Sequence, residues 1–150
     1  MTGRRDDSGS AIIEFVFVAV IVMVPLMYLI VAVASVQRSE LAVSQAAREA
    51  GRAFATADGP GEAMARARAA VHIALHDEGL PDDAELRFVS VTESCTADAT
   101  VVPTLAPGTQ FTVCVSRHAG IPAVPRFLSG QGITTVGRYT VHLDDYRAAP

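Results

Sequence analysis

Three groups of residues in this chain have side chains and spacings that could do chemistry. Cys95 and Cys114 are its two cysteines, and a pair in a small domain outside the cytoplasm reads as one disulfide. Two buried free thiols are the alternative, and two cysteines are too few for a structural zinc site without histidine help. His72 and His76, spaced i and i+4, could share a helical face and ligate zinc. Their segment is HIALHDE, without the intervening glutamate of a metalloprotease, and Arg68 one turn earlier would repel a cation. They read as a polar helix face holding no metal. The third group is Gly9-Ser10-Ala11-Ile12-Ile13-Glu14-Phe15. A glycine follows a short polar leader, and a single carboxylate lies five residues later at the edge of an apolar run. A carboxylate costs more the deeper it lies in a membrane. Glu14 can instead complement a helix N-terminus, and both readings stay open on local physics.

The elements around these groups begin with FVFVAVIVMVPLMYLIVAVASV, Phe15 to Val36, which carries no charge. As a helix it would extend about 33 Å, enough for a hydrocarbon core of about 30 Å. It reads as a membrane span. Pro25 lies in its middle, where a kink is expected and tolerated if neighbours satisfy the freed carbonyl. Arg4 and Arg5 precede the span, while Arg38 is the only basic residue in the ten that follow it. The positive-inside rule then places the N-terminus in the cytoplasm and the remainder outside.

The helix is expected to continue to about Ala57. Val36, Val43 and Ala50 recur every seven residues, as do Ala47 and Phe54, in a narrow apolar stripe interrupted at Glu40. Its small residues suit close approach of another element, either the protein's own sheet or a neighbouring molecule. Asp58-Gly59-Pro60-Gly61 breaks this helix. A second is expected from about Glu62 to Glu78, with Met64, Ala67, Val71 and Leu75 on one face and Gly79 and Pro81 ending it. Alternating runs then predict strands over Glu85–Val91, Gln110–Ser116 and Thr134–Leu143. Pro103, Pro107, Gly108, Gly120, Pro122, Pro125, Gly130 and Gly132 mark the loops between them. The fold class is α+β: a long N-terminal helix, a second helix and a small antiparallel sheet of about three strands.

The segment GSAIIEF ahead of a long apolar run resembles the class III signal of type IV prepilins. The stretch QAAREAGR, Gln45 to Arg52, resembles the helix continuation of TadE-like proteins, the minor pseudopilins of Tad (tight adherence) pilus systems. The resemblance covers about the first 55 residues. It implies cleavage by a prepilin peptidase between Gly9 and Ser10, leaving Glu14 as the fifth residue of the mature chain. It also implies that Glu14 and Phe15 act in assembly, with other pilin subunits and the pilus machinery as partners. Phe15 departs from the family's major pilins, which usually carry Tyr there and have hardly any globular part. Both differences favour a minor subunit in pilus assembly or adhesion. The implied organisation is a leader over 1–9, a membrane-spanning and extended helix over 10–57, and an α+β domain outside the cytoplasm over 58–150.

The competing reading is an extracytoplasmic binding domain, either Sec-exported and cut by signal peptidase I after Ala32-Val33-Ala34 or left plainly anchored in the membrane. Its apolar stretch is longer than the usual 7–15 residues of a signal peptide. Arg4-Arg5 is followed by two acids and does not read as a twin-arginine signal. The net charge of −4 gives no case for nucleic acid. The chain has no G-x-S-x-G motif and no phosphate-binding loop, so neither catalysis nor a cofactor is expected.

Overall fold

In its second half the N-terminal helix turns a row of small residues inward at three- and four-residue intervals, and these set how closely it packs on the sheet. The computed structural model of the chain describes residues 8–98, 100–120 and 132–146, with side chains from residue 11 onward. The leader residues 1–7, with Arg4 and Arg5, and the loop positions Pro122, Pro125 and Gly130 lie outside the described residues. Contacts divide the chain into two compact units, Met1–Ala34 and Ser35–Pro150.

Helix α1 spans Ser8–Ala55 and runs through Pro25. In the first unit its apolar side chains are exposed around the whole circumference, among them Ile13, Phe17, Val20, Met23, Val24, Leu29 and Ile30. It is long and apolar enough to cross a membrane. In the second unit the helix buries Val43, Ala47, Ala50 and Phe54 of the expected stripe, together with Ser39, Ala42 and Ala46, while Val36 is half-buried. Glu40 stays exposed.

Helix α2, Pro60–Asp77, starts two residues earlier than expected. The reason is that a proline fits the first helical position, where its missing N–H would have no partner anyway. Ala63, Ala67, Val71, Ala74 and Leu75 are its buried face, with Met64 half-buried against the core. Gly79, at φ +62°, ends it. Its N–H donates to the His76 carbonyl and that of Leu80 to the Leu75 carbonyl, closing a Schellman motif that needs a left-handed residue.

Strands β1 (Glu85–Val89), β2 (Gln110–Ala119) and β3 (Ile133–His142) form an antiparallel sheet in the order β1-β2-β3. Phe88 pairs with Val113, Cys114 with Arg138, and Val115 with both Leu86 and Gly137. One face, carrying Phe88, Phe111, Val113, Val115 and Val141, joins Phe54 and Leu75 in the core. Phe54, Phe88 and Phe111 meet at its centre in tilted and edge-to-face pairs with ring centroids 5.1–5.8 Å apart. The helix stripe therefore packs on the protein's own sheet. β1 stops at Val89, short of the expected Val91, because the chain turns away there and the Glu93 N–H donates to the Ser90 carbonyl. β2 runs three residues beyond the expected Ser116, since Arg117, His118 and Ala119 pair with Thr135, Thr134 and Ile133.

Candidate functional site

The N-terminal residues named by the resemblance all lie on α1. The helix begins at Ser8 and includes Gly9 and Ser10. Glu14 and Phe15 are exposed. The first turn of α1 as described runs from Ser8. Glu14 lies beyond that turn, and no acidic residue occupies the first turn. The field of a helix terminus falls off within one turn, and in a chain cut after Gly9 Glu14 would be the fifth residue. Glycine has the least to lose from leaving a helix and the most freedom outside it. The backbone at Gly9 can therefore unwind at small cost.

In the second unit Cys95 and Cys114 form a disulfide with Cα atoms 5.6 Å apart. Cys114 is on β2 and Cys95 on the loop after β1, so the bond holds that loop against the sheet face opposite α1. Two arginines fasten the same loop: Arg138 on β3 donates to the Val91 carbonyl at 3.0 Å, and Arg87 on β1 donates to that of Ala97. This cover explains why both faces of β2 are buried, Thr112 and Cys114 included.

A polar network that sequence reasoning missed joins α1 to the sheet. Arg117, 6 % exposed, donates through Nε and Nη2 to the two carboxylate oxygens of Asp83 at 2.9 and 3.2 Å. Its Nη1 donates to Ser39 Oγ at 3.0 Å. Thr135 Oγ1 donates to the Arg117 carbonyl at 3.3 Å. The Ser39 hydroxyl therefore gives its proton to Thr135 Oγ1, 2.8 Å away. The ring is closed, and among the described residues no buried side-chain polar atom lacks a partner. The sequence carried no signal for it, since Arg117 lies just past the expected strand end at Ser116, between Ser116 and His118.

His72 and His76 are exposed on α2 with their rings stacked at 6.3 Å. His72 faces Asp82 at 3.9 Å. Among the described residues no group of three or more histidine, cysteine and acidic side chains is placed to hold a metal ion.

The structure gives QAAREAGR a double character. Ala46, Ala47, Ala50 and Gly51 are buried, whereas Gln45, Arg48, Glu49 and Arg52 are exposed. A side chain on Gly51 would meet the ring of Tyr139 and the methyl of Val141, both at 2.7 Å. The small half of the segment lets the helix lie on the sheet, and the polar half faces outward.

Residues 9–52 match the family model of TadE-like proteins. No curated protein matches the chain, and no solved structure matches it. The match opens on Gly9, runs through Glu14 and the apolar helix, and closes on Arg52 at the end of QAAREAGR. The segment 9–52 of this chain is thus TadE-like, with one N-terminal apolar helix, consistent with a TadE-like protein of the Tad pilus systems.

Proposed function

We propose that the protein is a minor pilin, or pseudopilin, matured by a prepilin peptidase between Gly9 and Ser10 and then taken into a Tad-type pilus assembly. The observation that carries this reading is Glu14: an exposed carboxylate at the head of an otherwise uncharged apolar segment. Cleavage would create an α-amino group at Ser10 close to the membrane. When subunits stack through their apolar helices, Glu14 of one neutralises that cation on its neighbour. Opposite charges attract strongly in low dielectric, and a lone charge there is penalised. The pair sets the axial register of subunits leaving the bilayer, with Phe15 beside it in the packed seam. The N-terminus lies in the cytoplasm and residues beyond the span lie outside, where the Cys95–Cys114 bond persists.

In this reading the protein is an assembly subunit and carries out no catalysis. Both cysteines are held in the disulfide, and His72 and His76 stand on an open helix face. The test is Glu14→Gln in the native host. Processing should continue largely intact, while the variant should be lost from the sheared pilus fraction. A Glu14→Gln chain that enters pili as well as the native one would remove the carboxylate from assembly.

A further inference from the structure

The outer surface of the α1–α2 pair combines three features that the core and the membrane span leave unused. A groove of about 350 Å³ runs between the helices, lined by Gln45 and Glu49 from α1 and by Ala70, Ile73, Ala74 and Asp77 from α2. Two large aliphatic side chains stand out of this layer, Leu41 at 65 % and Ile73 at 58 % exposure. Leu41, Gln45, Arg48 and Arg52 follow one another at helical spacing along a single stripe of α1. Single exposed aliphatics are ordinary on any protein. Beside these two lie charges of both signs. Glu49 and Asp77 in the groove, and Arg48 and Arg52 on the adjoining stripe, take part in none of the ion pairs among the described residues. Arg38, Arg66, Arg87 and Arg117 each have an acidic partner, whereas Arg68 and Arg138, like Arg48 and Arg52, have none among the described residues.

We propose that this face is the docking site for a second copy of the chain. A face holding unpaired carboxylates and unpaired guanidinium groups around an apolar centre is complementary to itself. A two-fold arrangement sets Arg48 and Arg52 of each copy against Glu49 and Asp77 of the other. Leu41 and Ile73 of the two copies meet between them, and the alanine floor of the groove leaves room for an aliphatic side chain. A partner of one charge sign would leave half of these groups opposed by like charge. The contact is a weak one in free solution. Copies anchored in one membrane are confined at high effective concentration, which raises the occupancy of a weak contact without any new interaction. The proposal rests on the anchoring reading.

The experiment uses the full chain with Gln45→Cys, reconstituted in phosphatidylcholine vesicles. The native cysteines are bonded to each other and leave the new thiol as the reactive one. Flotation with the vesicles tests the anchoring separately from the contact. A short bismaleimide should then give a dimer, and a Thr140→Cys control on the far sheet face should not. Adding Glu49→Arg and Asp77→Arg, or instead Arg48→Glu and Arg52→Glu, should cut the dimer roughly tenfold, as like charges then face each other. Mixing the two reversed proteins should restore it. All six side chains are on the surface, so an unchanged thermal transition will show that each variant is folded. A chain that floats with the vesicles yet gives no dimer overturns the proposal. So does a dimer insensitive to charge reversal, or a mixture that fails to recover.

Discussion

Gly137 on β3 lies directly against the backbone of Val43 on α1: a Cβ built on Gly137 would fall 2.0 Å from the Val43 carbonyl oxygen. The opposing atom is backbone within a helix that packs by small residues on both sides of the contact, so it cannot rotate away as a side chain could. Gly137→Ala should therefore destabilise the domain by about 3 kcal/mol, the upper end of ordinary overpacking. Thermal unfolding of the detergent-solubilised chain checks this. An unchanged transition would mean that α1 does not sit on the sheet at this distance.

The closed ring of Arg117, Ser39 and Thr135 predicts an order among substitutions. Ser39 is fully buried, and Ser39→Ala leaves Arg117 Nη1 without its acceptor and Thr135 Oγ1 with only the bond it donates to the Arg117 carbonyl. That should cost about 1–3 kcal/mol. Asp83 is half exposed, so Asp83→Asn should cost about 1 kcal/mol, because one oxygen remains and water reaches the rest. Denaturant titration of the two variants, with Asp83→Asn the more destabilised, would contradict the network as described.

The Cys95–Cys114 bond closes a 19-residue separation. Opening it should cost about 3 kcal/mol by the chain-entropy relation. The loop from Ser90 onward should loosen before the core does, since Arg87 and Arg138 alone then hold it. Hydrogen exchange under reducing conditions should rise in residues 90–104 while Phe111–Val115 stays protected. Uniform loss of protection would show that the bond supports the whole sheet.

His72 and His76 are expected to hold no metal. The double variant His72→Ala/His76→Ala should keep the native transition temperature in chelator-free buffer. A stoichiometric metal in the purified chain, lost in that variant, would contradict the reading of an open helix face.

Much of this fold was legible because its signals are local. The period of Ala47 and Phe54, the Gly-Pro break after Asp58, and the alternation of Phe111, Val113 and Val115 each act within a few residues. The helix and strand ends moved by only one to three residues. What could not be read joins distant positions. Arg117 meets Asp83 and Ser39 across 34 and 78 residues, and no period in the sequence encodes such a meeting. Gly137 was the exception left unused, since a glycine inside a strand pattern signals close approach of another backbone. At the N-terminus the motif GSAIIEF named its residues, whereas their role depends on cleavage and on neighbouring subunits.

The mature N-terminus tests the account most directly. The native chain, extracted from the membranes of its own host, should give an N-terminal sequence beginning Ser10-Ala11-Ile12. Gly9→Leu should abolish that cleavage, because a side chain would crowd the unwound backbone at the scissile bond. A mature chain beginning at Ser35 would assign processing to signal peptidase I and discard the pilin reading. A chain that retains Met1 in a host with an active prepilin peptidase would reduce the protein to a plain single-pass anchor.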